Sequence, residues 1–381
     1  MRLGTIKGIK IKLHFSTLFI VGLVGFYSVI LYTDLARQAN HEVILLELIL
    51  VFFLNGILIL LSILIHELSH SLMALRYDVK VSEIELYLFG GVSKMEEEPK
   101  TPKSELLISI IGPISSFIFG ASFLALFFLT PILLPAWLLV TLFYSGITNI
   151  GLGIFNLLPA FPMDGGRVLR AFLWNRRKNL LSATKTASKV GSFFGYSLMV
   201  LGFIQMIFIG IFGGFWLILI GSFLNSAAKK SYYQTVNEVA LTTITVREIL
   251  GAARKFVLPY DLPLIDAIRD YFMVFNQYYF PVVKEVGQII GILHLEDIKQ
   301  IPIEKRSEYT VGDVAKNLSK FPIVFEEETG KDVMKKLTQM DNKPYIAVVK
   351  EREDQNIIGF VGKTEVINAL KFWESYTLNE I

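Results

Sequence analysis

Residues 44–75 read ILLELILVFFLNGILILLSILIHELSHSLMAL. The run exceeds the roughly 20 apolar residues that a helix needs to cross a bilayer. Its second half nevertheless carries His66, Glu67 and His70. On a helix the two histidines lie one turn apart on one face. That spacing suits a tetrahedral zinc, and Glu67 beside the first histidine can reach a water there as general base. A glutamate at the centre of a spanning helix costs on the order of 2–3 kcal/mol on insertion scales, so an ionisable residue at that depth reads as functional. Histidines that merely hydrogen-bond a neighbouring helix would explain neither Glu67 nor the spacing.

The rest of the chain is equally apolar. Of 381 residues, 53% are hydrophobic and 13% aromatic, which excludes an ordinary soluble protein. The start, MRLGTIKGIKIKLHF, has a basic region but no short apolar core ending in small residues, so no cleavable signal peptide is expected. Cysteine is absent, which rules out disulfides, thiolate metal sites and a cysteine nucleophile. Residues 1–228 hold 17 Lys and Arg against 12 Asp and Glu, whereas 229–381 hold 20 against 22. A basic membrane domain (1–228), a linker (229–241) and a more polar tail (242–372) are the expected units.

Six spans are expected, near 13–32, 44–75, 105–129, 132–157, 188–210 and 212–228, with GIFGGF at 210–215 turning the last pair. Lys and Arg cluster before span one and after spans two and four, while the other connections carry only Arg37. That bias predicts a multi-pass integral membrane protein with both termini in the cytoplasm. Between spans two and three, VKVSEIELYLFGGVSKME alternates and then breaks at Gly90-Gly91, which predicts a small cytoplasmic-side β element.

The tail contains a repeat. TVREIL at 245–250 recurs as TVGDVA at 310–315, and YYFPVVKEVGQIIGILHLEDI at 278–298 recurs as PYIAVVKEREDQNIIGFVGKTEVI at 344–367. Each copy reads helix, strand, helix, strand, strand, helix. The α/β duplication resembles the tandem cystathionine-β-synthase (CBS) module, with copies at 242–303 and 309–372. The resemblance implies an adenine nucleotide, contacted by a hydroxyl and a carboxylate after the last strand of each copy. Here those stretches read GILHLED and GFVGKTE. Asp297 fits the acidic position and Glu365 is a longer substitute, but His294 and Gly362 stand where the hydroxyls belong. A purely structural or dimerising module, giving a homodimer, is the other reading.

A catalytic zinc commonly takes three protein ligands. Of five histidines, His14, His41 and His294 are poorly placed, so a membrane-level carboxylate is expected as the third ligand. Asp164, in GIFNLLPAFPMDGGR at 153–167, is the outstanding candidate. Pro159 and Pro162 break the helix, and Gly165-Gly166 permit tight turns. The alternative is an interfacial aspartate capping the helix that begins GGRVLRAF.

Together these stretches resemble the site-2 protease family of intramembrane metalloproteases. HELSH at 66–70 matches its His-Glu-x-x-His helix, and NLLPAFPMDG at 156–165 its Asn-x-x-Pro and Asp-Gly pattern. FGGVS at 89–93 and GPISS at 112–116 resemble its smaller signatures. The resemblance implies one zinc held by His66, His70 and Asp164, with Glu67 as base. Asn156 would position the substrate or stabilise the tetrahedral intermediate, and the strand at Gly90 and Gly91 would pair with an unwound substrate. It implies hydrolysis of membrane-anchored, regulatory proteins within or near the bilayer, with the CBS pair as regulator and no nucleic acid as partner. The rival is a CBS-regulated channel or transporter with the same His, Glu and Asp cluster as an ion or proton path. Such a relay needs no i, i+4 histidine pair, and the membrane part shows no repeated halves.

Overall fold

The computed structural model describes residues 2–87, 90–251, 256–285, 288–317, 322–339, 345–350 and 357–377. Phe89 of FGGVS and residues 351–356 of the second repeat lie outside them. The chain divides into two compact units, 1–233 and 234–381.

The first unit opens with a hairpin of β1 (Arg2–Ile6) and β2 (Ile9–Leu13). Helices α1 (Thr17–Gln38) and α2 (Leu45–Arg76) follow, then β3 (Val81–Tyr87) and β4 (Gly90–Met95). The four strands form one sheet in the order β1-β2-β3-β4, with β2 and β3 parallel. The expected β element is therefore half of a larger sheet, and the first span begins later than hydropathy placed it. Residues 13–16 finish β2 and turn, with the His14 amide donating to Leu86 O at 3.0 Å. The alternation Ile9-Lys10-Ile11-Lys12 has the strand period of two. It buries Ile9 and Ile11, and puts Ile9 into a core with Ile59 and Ile63 of α2 and Ile84 of β3. Glu83 ties the sheet together by binding both Lys12 and Lys94, hydrogen bonds that hold its carboxyl down to about 2.

Five more helices follow, the last of which runs past residue 233. α3 (Pro102–Leu129) starts where the Thr101 hydroxyl accepts from Ser104 N at 3.2 Å, with proline at its first position. α4 (Ala136–Asn156), α5 (Asp164–Arg177), α6 (Leu180–Ile209) and α7 (Ile211–Thr243) come next. Among the described residues, α1, α2, α3, α4 and α6 are long and apolar enough to cross a membrane. α6 and α7 are separated by Gly210 alone, at φ 104°. They pack antiparallel, Gly195 lying against Gly221 and Gly202 against Gly214. Small residues at those levels let two backbones touch, which is how helices hold together in lipid. Residues 229–241, read as a linker, are helical and belong to α7.

The second unit bears the duplication. Its first half has α8 (Val246–Leu250), β5 (Leu258–Pro259), α9 (Leu264–Ala267), a π-helical stretch (Ile268–Phe272) and α10 (Met273–Phe275). β6 (Tyr279–Glu285), β7 (Gln288–His294) and α11 (Leu295–Lys299) complete it. The second half has α12 (Val311–Val314), β8 (Lys316–Asn317), β9 (Ile323–Phe325) and α13 (Gly330–Thr338). It ends with β10 (Tyr345–Val349), β11 (Ile357–Gly362) and α14 (Lys363–Thr377). In each half a parallel pair is followed by an antiparallel one: β5-β6-β7 and β9-β10-β11.

The two cores are exchanged relative to the sequence copies. Val246, Ile249 and Leu250 of α8 pack on Val324, Ile346, Val348 and Val361 of the second half. Val311 of α12 joins Leu258, Phe280 and Leu293 of the first. Isolated bridges between Thr245 and Thr329, and between Pro263 and Thr310, mark both crossings. Each half therefore borrows the other's opening helix.

Candidate metal centre

The site is assembled on α2. His66 and His70 are buried, each 4% exposed, one turn apart on the face turned toward α3. Their outer ring nitrogens are both held by α3. His70 Nδ1 donates to the Ile108 carbonyl at 2.6 Å, and His66 Nδ1 shares a 2.9 Å hydrogen bond with Ser116 Oγ. These bonds fix the ring orientations and turn both Nε2 atoms inward, 3.2 Å apart.

Asp164 reaches this pair from the first turn of α5. Its Oδ2 lies 3.1 Å from His66 Nε2 and 3.1 Å from His70 Nε2. The capping alternative does not describe it, because the N-cap is Met163 and makes no side-chain cap bond. Two devices place α5. At Gly165 an added Cβ would collide with the Leu157 and Leu158 carbonyl oxygens, so the Asp-Gly-Gly turn packs directly on the preceding loop. Further along, Arg170 pairs with Glu105 of α3 and, at 3.2 Å, with Glu98. Arg170 and Glu105 are 4% and 0% exposed.

A buried charge deprived of its partner costs about 3–5 kcal/mol. Arg170→Leu is therefore expected to lower the thermal midpoint of detergent-purified protein, with much of the loss recovered when Glu105→Leu is added. An unchanged midpoint in the single variant would show that the pair does not anchor α5.

The donor set fits a cation. With its proton committed to the Ile108 carbonyl, a neutral His70 ring presents a lone pair at Nε2, and the Asp164 carboxylate only accepts. Two acceptors 3.1 Å apart call for a positive charge between them. Ligands at zinc's usual 2.0–2.1 Å in a tetrahedron would be about 3.3 Å from one another, close to the 3.1–3.2 Å seen for this triad. Gly112 of α3 makes room for it: an added Cβ there would strike His70 Nε2 and come within 2.9 Å of His66 Nε2.

Glu67 is half-buried and lies against β4. Ser93 Oγ donates to its Oε2 at 2.8 Å, and Ser71 Oγ donates to Ser93 Oγ at 3.1 Å. Gly91 permits this approach, since an added Cβ would overlap Glu67 Cγ. β4 is an edge strand, paired with β3 on one side. Gly90 sits at its start with φ 124°.

The structure therefore brings together His66, Glu67, His70, Asp164 and Gly91. Asn156 stands apart in its bonding: at the end of α4 its Nδ2 donates back to Leu152 O at 3.0 Å. Asp297 is in the second unit, where its Oδ1 accepts from Lys316 Nζ at 2.7 Å and its Oδ2 is buried without a partner. Ser93, Ser116, Ile108 and Arg170 were not singled out by sequence reasoning. The GPISS stretch, starting at Gly112 and ending at Ser116, was the one available signal for that face of α3.

A polytopic helical domain with a buried two-histidine, one-carboxylate triad beside a glutamate belongs to the class of membrane metallohydrolases. Comparison with known proteins agrees. Peptidase family M50 matches residues 54–135 and 133–202, and the CBS domain family matches 246–304. A zinc metalloprotease of Methanocaldococcus jannaschii is 31% identical over 375 residues, 98% of this chain and 97% of that one. A Mycobacterium tuberculosis protein that bears the name "Putative zinc metalloprotease Rip3" is 28% identical over 377 residues, 96% of this chain and 91% of that one. The solved site-2 protease from Methanocaldococcus jannaschii is 33% identical, covers 61% of this chain and 94% of its own, and superposes with a TM-score of 0.42. The chain belongs to peptidase family M50, the zinc metalloproteases of the site-2 type, and carries a CBS module behind the protease domain.

Proposed function

We propose that this protein is an intramembrane zinc endopeptidase acting on membrane-anchored, regulatory proteins. The observation that carries the reading is the triad itself: three donor atoms at tetrahedral-ligand spacing, with Glu67 on the same helix and an edge strand against it. His66, His70 and Asp164 would hold one zinc. When bound, zinc polarises a carbonyl and makes water acidic enough to act as a nucleophile near neutral pH. Glu67 takes up that proton and returns it to the leaving amine. Ser93 aims the Glu67 carboxylate, and β4, through Gly90 and Gly91, offers its open edge to an extended substrate segment. A helical substrate has its scissile carbonyl in a backbone hydrogen bond, so it unwinds before it can join that edge. Asn156, close to the loop that leads to Asp164, is assigned to substrate positioning.

The Lys and Arg bias supports a cytoplasmic position for both termini. The CBS pair is the regulatory part, with Asp297 and Lys316 as the place for an adenine nucleotide and the module as a route to a homodimer. The channel reading lacks support from the site: an ion path needs no hydrogen bonds that fix the orientation of both imidazole rings.

The test uses full-length protein in detergent or liposomes with single-span reporter substrates. Glu67→Gln is expected to keep its zinc and to lower cleavage by about 10²–10⁴-fold, the usual contribution of a general base. A chelator is expected to abolish wild-type cleavage and added zinc to restore it. Zinc-loaded wild type that cleaves no membrane-anchored reporter but conducts ions in liposomes would overturn the reading.

A further inference from the structure

A cavity of about 770 Å³ opens in the second unit, lined from α8, β6, β10 and α14. Its described lining contains no Lys or Arg and two glutamates, Glu248 and Glu365. Its walls are aromatic, with Tyr279, Tyr345 and Trp373 inside and Phe372, 74% exposed, at the rim. The Tyr279 and Tyr345 rings lie 4.0 Å apart between centroids. Burial, and after it the Glu365 carboxylate, push both phenols up, so the rings are neutral at physiological pH.

A phosphate here would have two natural supports, a basic side chain or a free helix N-terminus. The described lining supplies no basic residue. The N-terminus of α14 already carries a carboxylate: Glu365 Oε2 accepts from Gly362 N, the residue before the helix, at 2.9 Å. Glu248 does the same for α8, accepting from Thr245 N at 2.8 Å. Both carboxylates are thus held at the cavity wall, where their negative charge would repel a phosphate. Neutral aromatic faces beside fixed carboxylates attract the opposite charge, because the ring quadrupole is negative at its face.

We propose that this cavity binds an organic cation, a quaternary or protonated amine carrying an apolar body, and excludes phosphate-bearing nucleotides. A volume of this order, in the range of small-molecule pockets, admits more than a bare ammonium. The apolar body packs on the tyrosine pair and Trp373, while the cationic head faces Glu365.

The test is equilibrium dialysis of radiolabelled benzyltrimethylammonium against the full-length protein in detergent. Saturable binding near one probe per chain is expected, with neither AMP nor ATP displacing it. Glu365→Gln keeps a hydrogen-bond acceptor at the α14 cap but removes the charge, and should weaken binding. Trp373→Leu should weaken it about tenfold, whereas Trp373→Phe, which keeps an aromatic face, should stay close to wild type. The Phe variant separates loss of the ring face from general unfolding. Absence of saturable probe binding overturns the proposal. So does displacement of the probe by AMP or ATP, or equal weakening by Phe and Leu at position 373.

Discussion

In Asp164→Ala, the zinc content of detergent-purified protein is expected to fall from about one per chain to less than about a tenth of that, and cleavage to vanish with it. The reason is ligand count. Two histidines remain, held in place by Ile108 and Ser116, but a catalytic zinc commonly needs a third protein ligand. Asp164 is also the triad's only anion, and without it the cation loses charge neutralisation in a buried pocket. Because α5 is anchored separately by Arg170, the helix should remain where it is and the loss should be confined to the metal. Asp164→Asn is a stricter version, since it keeps the shape and one acceptor oxygen while removing the charge. Metal analysis of the purified variants decides the matter. Full zinc retention in Asp164→Ala would remove Asp164 from the ligand set.

The second expectation concerns a residue that carries no chemistry. Gly112→Ala should cost the protein its zinc and its activity while leaving the fold intact. Within a helix, alanine is better than glycine by about 1 kcal/mol, so α3 itself should tolerate or welcome the change. The new methyl group, however, falls on His70 Nε2 and within 2.9 Å of His66 Nε2. A close-packed interior cannot absorb that without displacing a ring or the helix. Either movement breaks ligand geometry. The expected result is a zinc content lowered at least about tenfold, an order read from the sensitivity of metal sites to far smaller outer-shell changes. The thermal midpoint of apo protein should stay near that of apo wild type. If Gly112→Ala retains both metal and activity, α3 does not pack on the ligands as described.

These two residues differ in how visible they were. Asp164 stood out because a carboxylate between proline breaks and a glycine pair is unusual at the end of an apolar segment. Gly112 belongs to a stretch of suggestive residues, GPISS, but nothing local tells that its missing side chain faces two imidazoles. The same contrast holds for Glu67. Its place beside His66 is a matter of helical spacing, whereas the Ser93 hydroxyl that aims it comes from a strand 26 residues further on.

What the sequence determined by itself about this protein is whatever depends on near neighbours in the chain. Apolar runs of spanning length set the helices, the i, i+4 spacing put His66 and His70 on one face, and the repeated pattern after residue 242 marked a duplicated α/β module. Tertiary structure decided the rest. It carried Asp164 to a histidine 98 positions away, and the Ile108 carbonyl to one 38 away. It joined the N-terminal hairpin to β3, and it exchanged α8 and α12 between the two halves of the tail. Helix and strand periods arise from backbone geometry over a few residues and leave a local trace. Which buried faces meet depends on the packing of whole elements. The exchanged helices show why: α8 and α12 present similar apolar residues, so composition alone cannot say which core each one completes.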